Sequence, residues 1–142
     1  MMISTKGRYA LRVMLDLAEN QNERYIPLKD IAKRQEISVK YLETIIPVLI
    51  KNNFLEGLRG KGGGYRLSRE PETYTVGSIL KLLESGMAPV ACLENGANHC
   101  ARAAACKTLP MWETLYKMID QYFEGITLAD LCLNHPSLNF EI

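Results

Sequence analysis

The chain has 142 residues, 47% of them hydrophobic, and a formal net charge of +1, which suits one small domain with an appendage or two lobes on a shared core. It contains no run of 18 or more apolar residues and no long apolar stretch near its first methionine. Neither a membrane span nor a secretory leader is expected, and cytoplasmic residence is the default expectation.

The near-zero net charge hides a division along the chain. Residues 1–67 hold 12 Lys+Arg against 7 Asp+Glu, a balance of +5, while residues 68–142 hold 5 against 9, a balance of −4. A polyanion has reason to approach the N-terminal half only.

Ser4 or Thr5 caps a first helix that reaches about Asn20, with Tyr9, Ala10, Val13, Met14, Leu17 and Ala18 as its inward stripe. A polar loop over residues 20–24 leads to a short extended piece, Tyr25-Ile26-Pro27, and then to a brief helix over Leu28 to Gln35. Glu36-Ile37 turns into a second helix capped by Ser38, so the two form a helix-turn-helix pair. Leu42, Ile45, Ile46, Leu49 and Ile50 recur at helical spacing, and Asn52-Asn53 ends the run because asparagine tolerates the left-handed conformation past a helix end. Pro47 lies inside this helix, which predicts a kink there or a start one turn earlier.

Phe54 to Leu58 and Tyr65 to Leu67 read as strands around Arg59-Gly60-Lys61-Gly62-Gly63-Gly64, a hairpin with a basic tip. A capped helix followed by such a hairpin is the layout of a winged helix-turn-helix: one element enters a major groove while the other grips phosphates. After a polar connector at residues 69–72, Thr75 caps a helix through about Glu84, with Val76, Ile79, Leu80 and Leu83 inward. Residues 87–108 lose periodicity and form an irregular loop. From Leu109 to Gly125, Trp112, Leu115, Tyr116, Ile119, Tyr122 and Phe123 follow a seven-residue repeat suited to a partner helix. Pairing with its own copy across a two-fold axis buries that stripe most economically, giving a homodimer. Thr127 caps a last short helix that ends at Asn134-His135-Pro136.

The glycine run does not support a nucleotide-binding enzyme. A phosphate loop needs Ser or Thr after its lysine, where Gly62 follows Lys61, and a dinucleotide fingerprint needs glycine where Tyr65 stands. For DNA, the second helix of the pair offers Ser38, Lys40, Tyr41, Glu43 and Thr44 near its positive N-terminal end. Glu43 is either an acceptor for a cytosine amino group or an ordinary exposed glutamate. Arg59 and Lys61 at the hairpin tip are phosphate or minor-groove contacts.

Four cysteines in a reducing compartment argue against a disulfide framework. Three of them, Cys92, Cys100 and Cys106, fall within fifteen residues of each other, and three thiolates on one loop suit an iron–sulfur cluster. Zinc held by these cysteines and His99, or reversible thiol oxidation, are the alternatives. Glu94, His99 or a partner subunit could complete a cluster. Cys132, among Leu128, Leu131 and Leu133, reads as core, and His135 as a surface terminator.

Ser4-Thr5-Lys6-Gly7-Arg8-Tyr9-Ala10-Leu11-Arg12, Ile37-Ser38, Tyr41-Leu42-Glu43, Arg59-Gly60 and Gly62-Gly63-Gly64-Tyr65 together resemble the IscR/NsrR/CymR family of bacterial winged-helix transcriptional regulators, closest to its IscR-like iron–sulfur members. The match runs from about residue 1 to 131. The resemblance implies a homodimeric transcription factor with crossing C-terminal helices, and a cluster on the cysteine-bearing members. It further implies that Glu43 helps to choose between DNA site classes according to cluster occupancy. Leu109 stands where IscR-type proteins place a histidine, Arg8 where NsrR-type proteins place an aspartate, and Lys40 where IscR has a serine. The fourth ligand is therefore left open.

The expected architecture is mainly α: a winged helix-turn-helix DNA-binding domain over residues 1–84, a cysteine-bearing loop over 85–108, and a dimerisation helix with a short last helix over 109–142. The expected function is a DNA-binding regulator, most simply a repressor, on a palindromic double-stranded operator. An iron–sulfur cluster on Cys92, Cys100 and Cys106, 2Fe–2S in preference to 4Fe–4S, controls it by sensing iron–sulfur status, redox or nitric oxide. The alternative is a cluster-free thiol-redox or zinc-containing winged-helix regulator. Trp112, Leu115, Ile119, Tyr122 and Phe123 form the dimer contact.

Overall fold

A computed structural model describes residues 2–22, 24–96 and 100–134. Its elements are α1 (Thr5–Glu19), α2 (Leu28–Gln35), α3 (Val39–Lys51), β1 (Leu55–Leu58), β2 (Gly64–Leu67), α4 (Val76–Leu83), α5 (Leu109–Glu124) and α6 (Leu128–Leu133). Short 3-10 helices occur at Pro71–Thr73, Ala91–Gly96 and Ala103–Ala105. The last two lie within the loop expected to be wholly irregular.

Local sequence signals account for most helix starts. Ser4, not Thr5, caps α1, its Oγ accepting from the Gly7 N–H at 3.0 Å. Ser38 caps α3 by accepting from the Tyr41 N–H at 3.1 Å, so the helix begins where the cap predicts and not a turn earlier. Pro47 sits inside α3 on its exposed side, and the helix runs on to Lys51. The carbonyl deprived by the missing N–H is that of Glu43, also on the exposed side, where water can serve it. Leu42, Ile45, Ile46 and Leu49 are buried as the spacing predicts, but Ile50 lies at the edge of the stripe and is 37% exposed. Asn53 takes φ 61, the left-handed conformation expected there.

One core joins Ala10, Val13, Met14 and Leu17 of α1 to Ile31, Ile37 and the inner face of α3, with Leu55, Leu67, Tyr74, Ile79 and Leu128 closing it. Truncating one such side chain, for example Leu42→Ala, costs about 2–5 kcal/mol. A smaller cluster of Val76, Leu80, Met87 and Ile126 takes Phe123 of α5 against it. The chain after α5 is stitched back onto this body. The Val76 N–H donates to the Ile126 carbonyl at 2.8 Å, and the Leu128 N–H to the Tyr74 carbonyl at 2.9 Å.

Candidate nucleic-acid interface and cysteine loop

The hairpin is antiparallel, with Leu55 opposite Leu67 and Leu58 opposite Gly64. Its second strand is also clasped on the far side by Ile26, which exchanges two backbone hydrogen bonds of 2.8 Å with Tyr65. This clasp explains part of the glycine run. A Cβ on Gly64 would stand 2.2 Å from the Ile26 carbonyl oxygen, and its φ of +147 is one that side-chain-bearing residues rarely adopt. A Cβ on Gly63 would stand 2.2 Å from the Leu58 carbonyl oxygen. The glycines thus let three backbones approach closely and leave Arg59 and Lys61 exposed at the tip.

The wing is tied to α3 by a residue that sequence reasoning did not single out. Tyr74 is fully buried. Its hydroxyl donates to the Phe54 carbonyl at 2.8 Å and accepts from the Ser68 and Arg69 N–H groups at 3.0 and 3.1 Å. Its ring meets Phe54 edge-on at 5.4 Å. A tyrosine flanked by a polar connector and a helix cap carries no local sign of such a role.

On α3, Ser38, Lys40, Glu43 and Thr44 are exposed together. The Ser38 oxygen is committed to the cap, and the Thr44 hydroxyl donates to the Tyr41 carbonyl at 2.7 Å. Tyr41 is drawn partly inward, edge-on to Tyr9 at 5.4 Å. Among the described residues Glu43, Arg59 and Lys61 take part in no ion pair, and all three are exposed to solvent. An exposed carboxylate on the outer face of α3, outside the ion pairs of the described residues, suits selective contact with a base-edge amino group.

The cysteine loop begins at a fixed point. Glu84 Oε1 accepts from the Ser4 N–H at 2.9 Å and from its hydroxyl at 2.8 Å, fastening the end of α4 to the start of α1. Beyond it, Cys92 and Cys106 are half-buried and Cys100 is exposed; none of the three is in a disulfide. Cys106 Sγ lies 3.3 Å from the Thr108 hydroxyl, and this contact first, then the Thr108 backbone and nearby Arg102, holds its pKa below the ordinary thiol value. Among the described residues, no three His, Cys, Asp or Glu side chains converge as metal ligands, so the three thiols share a loop without being gathered at a point. Their chemistry fits a soft metal centre, since all are reduced and at least partly accessible. His99 and His135 lie outside the described residues. Arg8 is exposed and bonds Thr5 Oγ1 at 3.1 Å; as a cation it cannot take the ligand position it matches. Cys132 is half-buried on α6, and burial pushes its thiol pKa up.

Along α5 no side chain is fully buried. Met111, Leu115, Met118 and Tyr122 are 54%, 37%, 51% and 40% exposed, and their spacing of four, three and four residues places them on one stripe. Trp112 and Ile119 flank it half-buried, whereas Phe123 packs inward against its own chain. The two methionines escaped the sequence reading, which followed aromatic and branched residues, although they repeat at seven-residue spacing.

The profile of the Rrf2 family, described as iron-dependent transcriptional regulator, matches residues 3–134. The chain belongs to the Rrf2 family. Rrf2-type relatives include the transcriptional regulator IscR of Aliivibrio salmonicida, 35% identical over 135 residues that cover 95% of this chain and 79% of that one. The protein rrf2 of Nitratidesulfovibrio vulgaris is 40% identical over 131 residues, 92% of this chain and 87% of its own. Among solved structures, CymR, the global cysteine regulator of B. subtilis, superposes with a TM-score of 0.79 at 34% identity, covering 94% of this chain and 98% of its own. T. potens IscR gives a TM-score of 0.75 at 34% identity over all of this chain and 94% of its own. The mainly helical winged fold expected from the sequence is thus that of Rrf2 regulators. Among the described residues, no helix is long and apolar enough to cross a membrane.

Proposed function

We propose that this Rrf2 regulator is a homodimer that binds a palindromic DNA operator, most simply as a repressor. An iron–sulfur cluster on Cys92, Cys100 and Cys106 controls its grip. The observation that carries the DNA-binding part is the exposure of the Ser38 cap and of Lys40, Glu43 and Thr44 of α3, together with the exposure of Arg59 and Lys61 at the basic wing tip. The exposed Met111–Tyr122 stripe supports the dimer, because apolar side chains at heptad spacing gain most by pairing. Half-sites about one helical turn apart follow from two-fold symmetry.

For the cluster, the support is three reduced thiols on one loop and membership of a family described as iron-dependent. When bound, such a centre would supply redox- or nitric-oxide-sensitive chemistry, 2Fe–2S in preference to 4Fe–4S. The chain's own contribution is to present three soft ligands on a segment whose entry is pinned by Glu84 to Ser4. Anaerobic purification with iron and sulfide analysis, paired with gel shifts of holo and metal-stripped protein, tests this reading. Equal operator binding by the two forms would remove cluster control and leave a plain DNA binder.

A second reading has one observation in its favour. The CymR likeness, to a protein titled a cysteine regulator, supports a cluster-free regulator that responds through thiol chemistry or holds zinc. Stoichiometric zinc, or operator binding that follows thiol oxidation in iron-free protein, would favour it.

A further inference from the structure

Among the described residues, Asp16 is the buried charged side chain, 1% exposed in the middle of an otherwise apolar α1 face. Its carboxylate accepts from Arg34 Nε at 2.9 Å, Arg34 Nη2 at 2.7 Å and Gln35 Nε2 at 2.9 Å. The two Arg34 bonds form the bidentate fork in which distance and plane are both fixed. Gln35 passes the constraint on: its side-chain oxygen accepts from Arg12 Nε at 3.2 Å, and its carbonyl accepts from Arg12 Nη2. Arg12 in turn lies over the Tyr9 ring at 5.0 Å, and Tyr9 meets Tyr41 of α3 edge-on.

Gln35 is the last residue of α2. The left-handed Glu36, at φ 54, the buried Ile37 and the Ser38 cap follow directly. The carboxylate therefore holds the residue from which the chain turns into α3, and the aromatic pair holds α3 one turn further on. For stability alone, an apolar side chain of similar size would serve the core as well or better, since burying an ion pair seldom gains free energy. What the ion pair adds is a single permitted orientation. We propose that Asp16 is a positioning residue for DNA reading: through Arg34 and Gln35 it sets the angle at which α3 presents Lys40, Glu43 and Thr44. This rests on the DNA-binding reading above.

The test uses the full purified chain, a duplex that the wild type selects from a random pool, and a scrambled duplex of the same composition. Asp16→Asn and Gln35→Met are measured well below their melting temperatures. Gln35→Met leaves the Arg34–Asp16 pair in place, so it carries the test if Asp16→Asn fails to fold. Affinity for the selected duplex is expected to fall about tenfold, the scale of losing one base pair's worth of specific contact. Affinity for the scrambled duplex and the salt slope of both should be unchanged, because phosphate contacts are untouched. A folded Gln35→Met variant that discriminates the two duplexes as the wild type does would overturn the assignment. A wild type that selects no duplex at all would instead remove the DNA-binding reading, and the assignment with it.

Discussion

The hydroxyl of Tyr74 and the carbonyl of Phe54 meet at 2.8 Å across the joint between α3 and the β1–β2 hairpin. The same oxygen satisfies two further backbone donors, those of Ser68 and Arg69. Tyr74→Phe keeps the ring but removes one hydrogen bond from each of three part-buried backbone groups. It is expected to lower stability by about 1–3 kcal/mol, measured by urea unfolding, with no loss of helix content in the folded state. An unchanged midpoint would mean that water replaces the phenol there.

The α5 stripe gives a prediction with a different readout. Leu115→Glu places a charge between Met111 and Met118 on the exposed face. Light scattering should report a monomer, and operator affinity should collapse because two half-sites are no longer held at fixed spacing. A variant that remains dimeric would move the interface elsewhere.

The wing tip should act through charge alone. Replacing Arg59 or Lys61 with Gln is expected to reduce the salt slope of binding by about one phosphate each, with little change in sequence preference. A change in preferred sequence would instead assign base contact to that side chain.

Thr44 should tolerate loss of its hydroxyl. Its hydrogen is already given to the Tyr41 carbonyl, so Thr44→Val is expected to keep operator affinity within about twofold, its methyl still available to a base. A large loss would show that the oxygen accepts from DNA.

The cysteines should separate by reactivity in iron-free protein. The Thr108 contact lowers the Cys106 pKa, while burial raises that of Cys132. A lowered pKa means more thiolate at neutral pH, so alkylation of Cys106 should persist to lower pH than alkylation of Cys132. Mass spectrometry of a pH series reads this directly. Cys92→Ala, by comparison, should abolish iron binding and leave the fold intact, because the half-buried thiol has no place in either core cluster.

What could be read from residues alone was what depends on near neighbours. Ser38 followed by apolar residues at helical spacing defines α3 because the cap and the stripe are both local. The glycine run announces the hairpin for the same reason. Asp16, by contrast, looks like a polar residue on a helix until Arg34 and Gln35, eighteen and nineteen positions away, are brought to it. The Ser4–Glu84 tie spans 80 positions. Phe123 shows the same limit: the heptad spacing places it near the partner-facing stripe, and only the packing of α4 against α5 turns it inward.

The anchorage of α5 is lopsided. Lys81 pairs with Asp120 at 2.7 Å and with Glu124 at 2.9 Å, and the Thr75 hydroxyl donates to Glu124 at 2.8 Å; these grips all hold the last turns of the helix. Sixteen residues make a rod about 24 Å long, so a tilt of about 5° at the pinned end carries Leu109 through about 2 Å. The segment bearing Cys106 joins the helix at the opposite end from these grips. A pull on the loop would therefore act on the Lys81 contacts through the full length of the helix, as a force at the long arm of a lever.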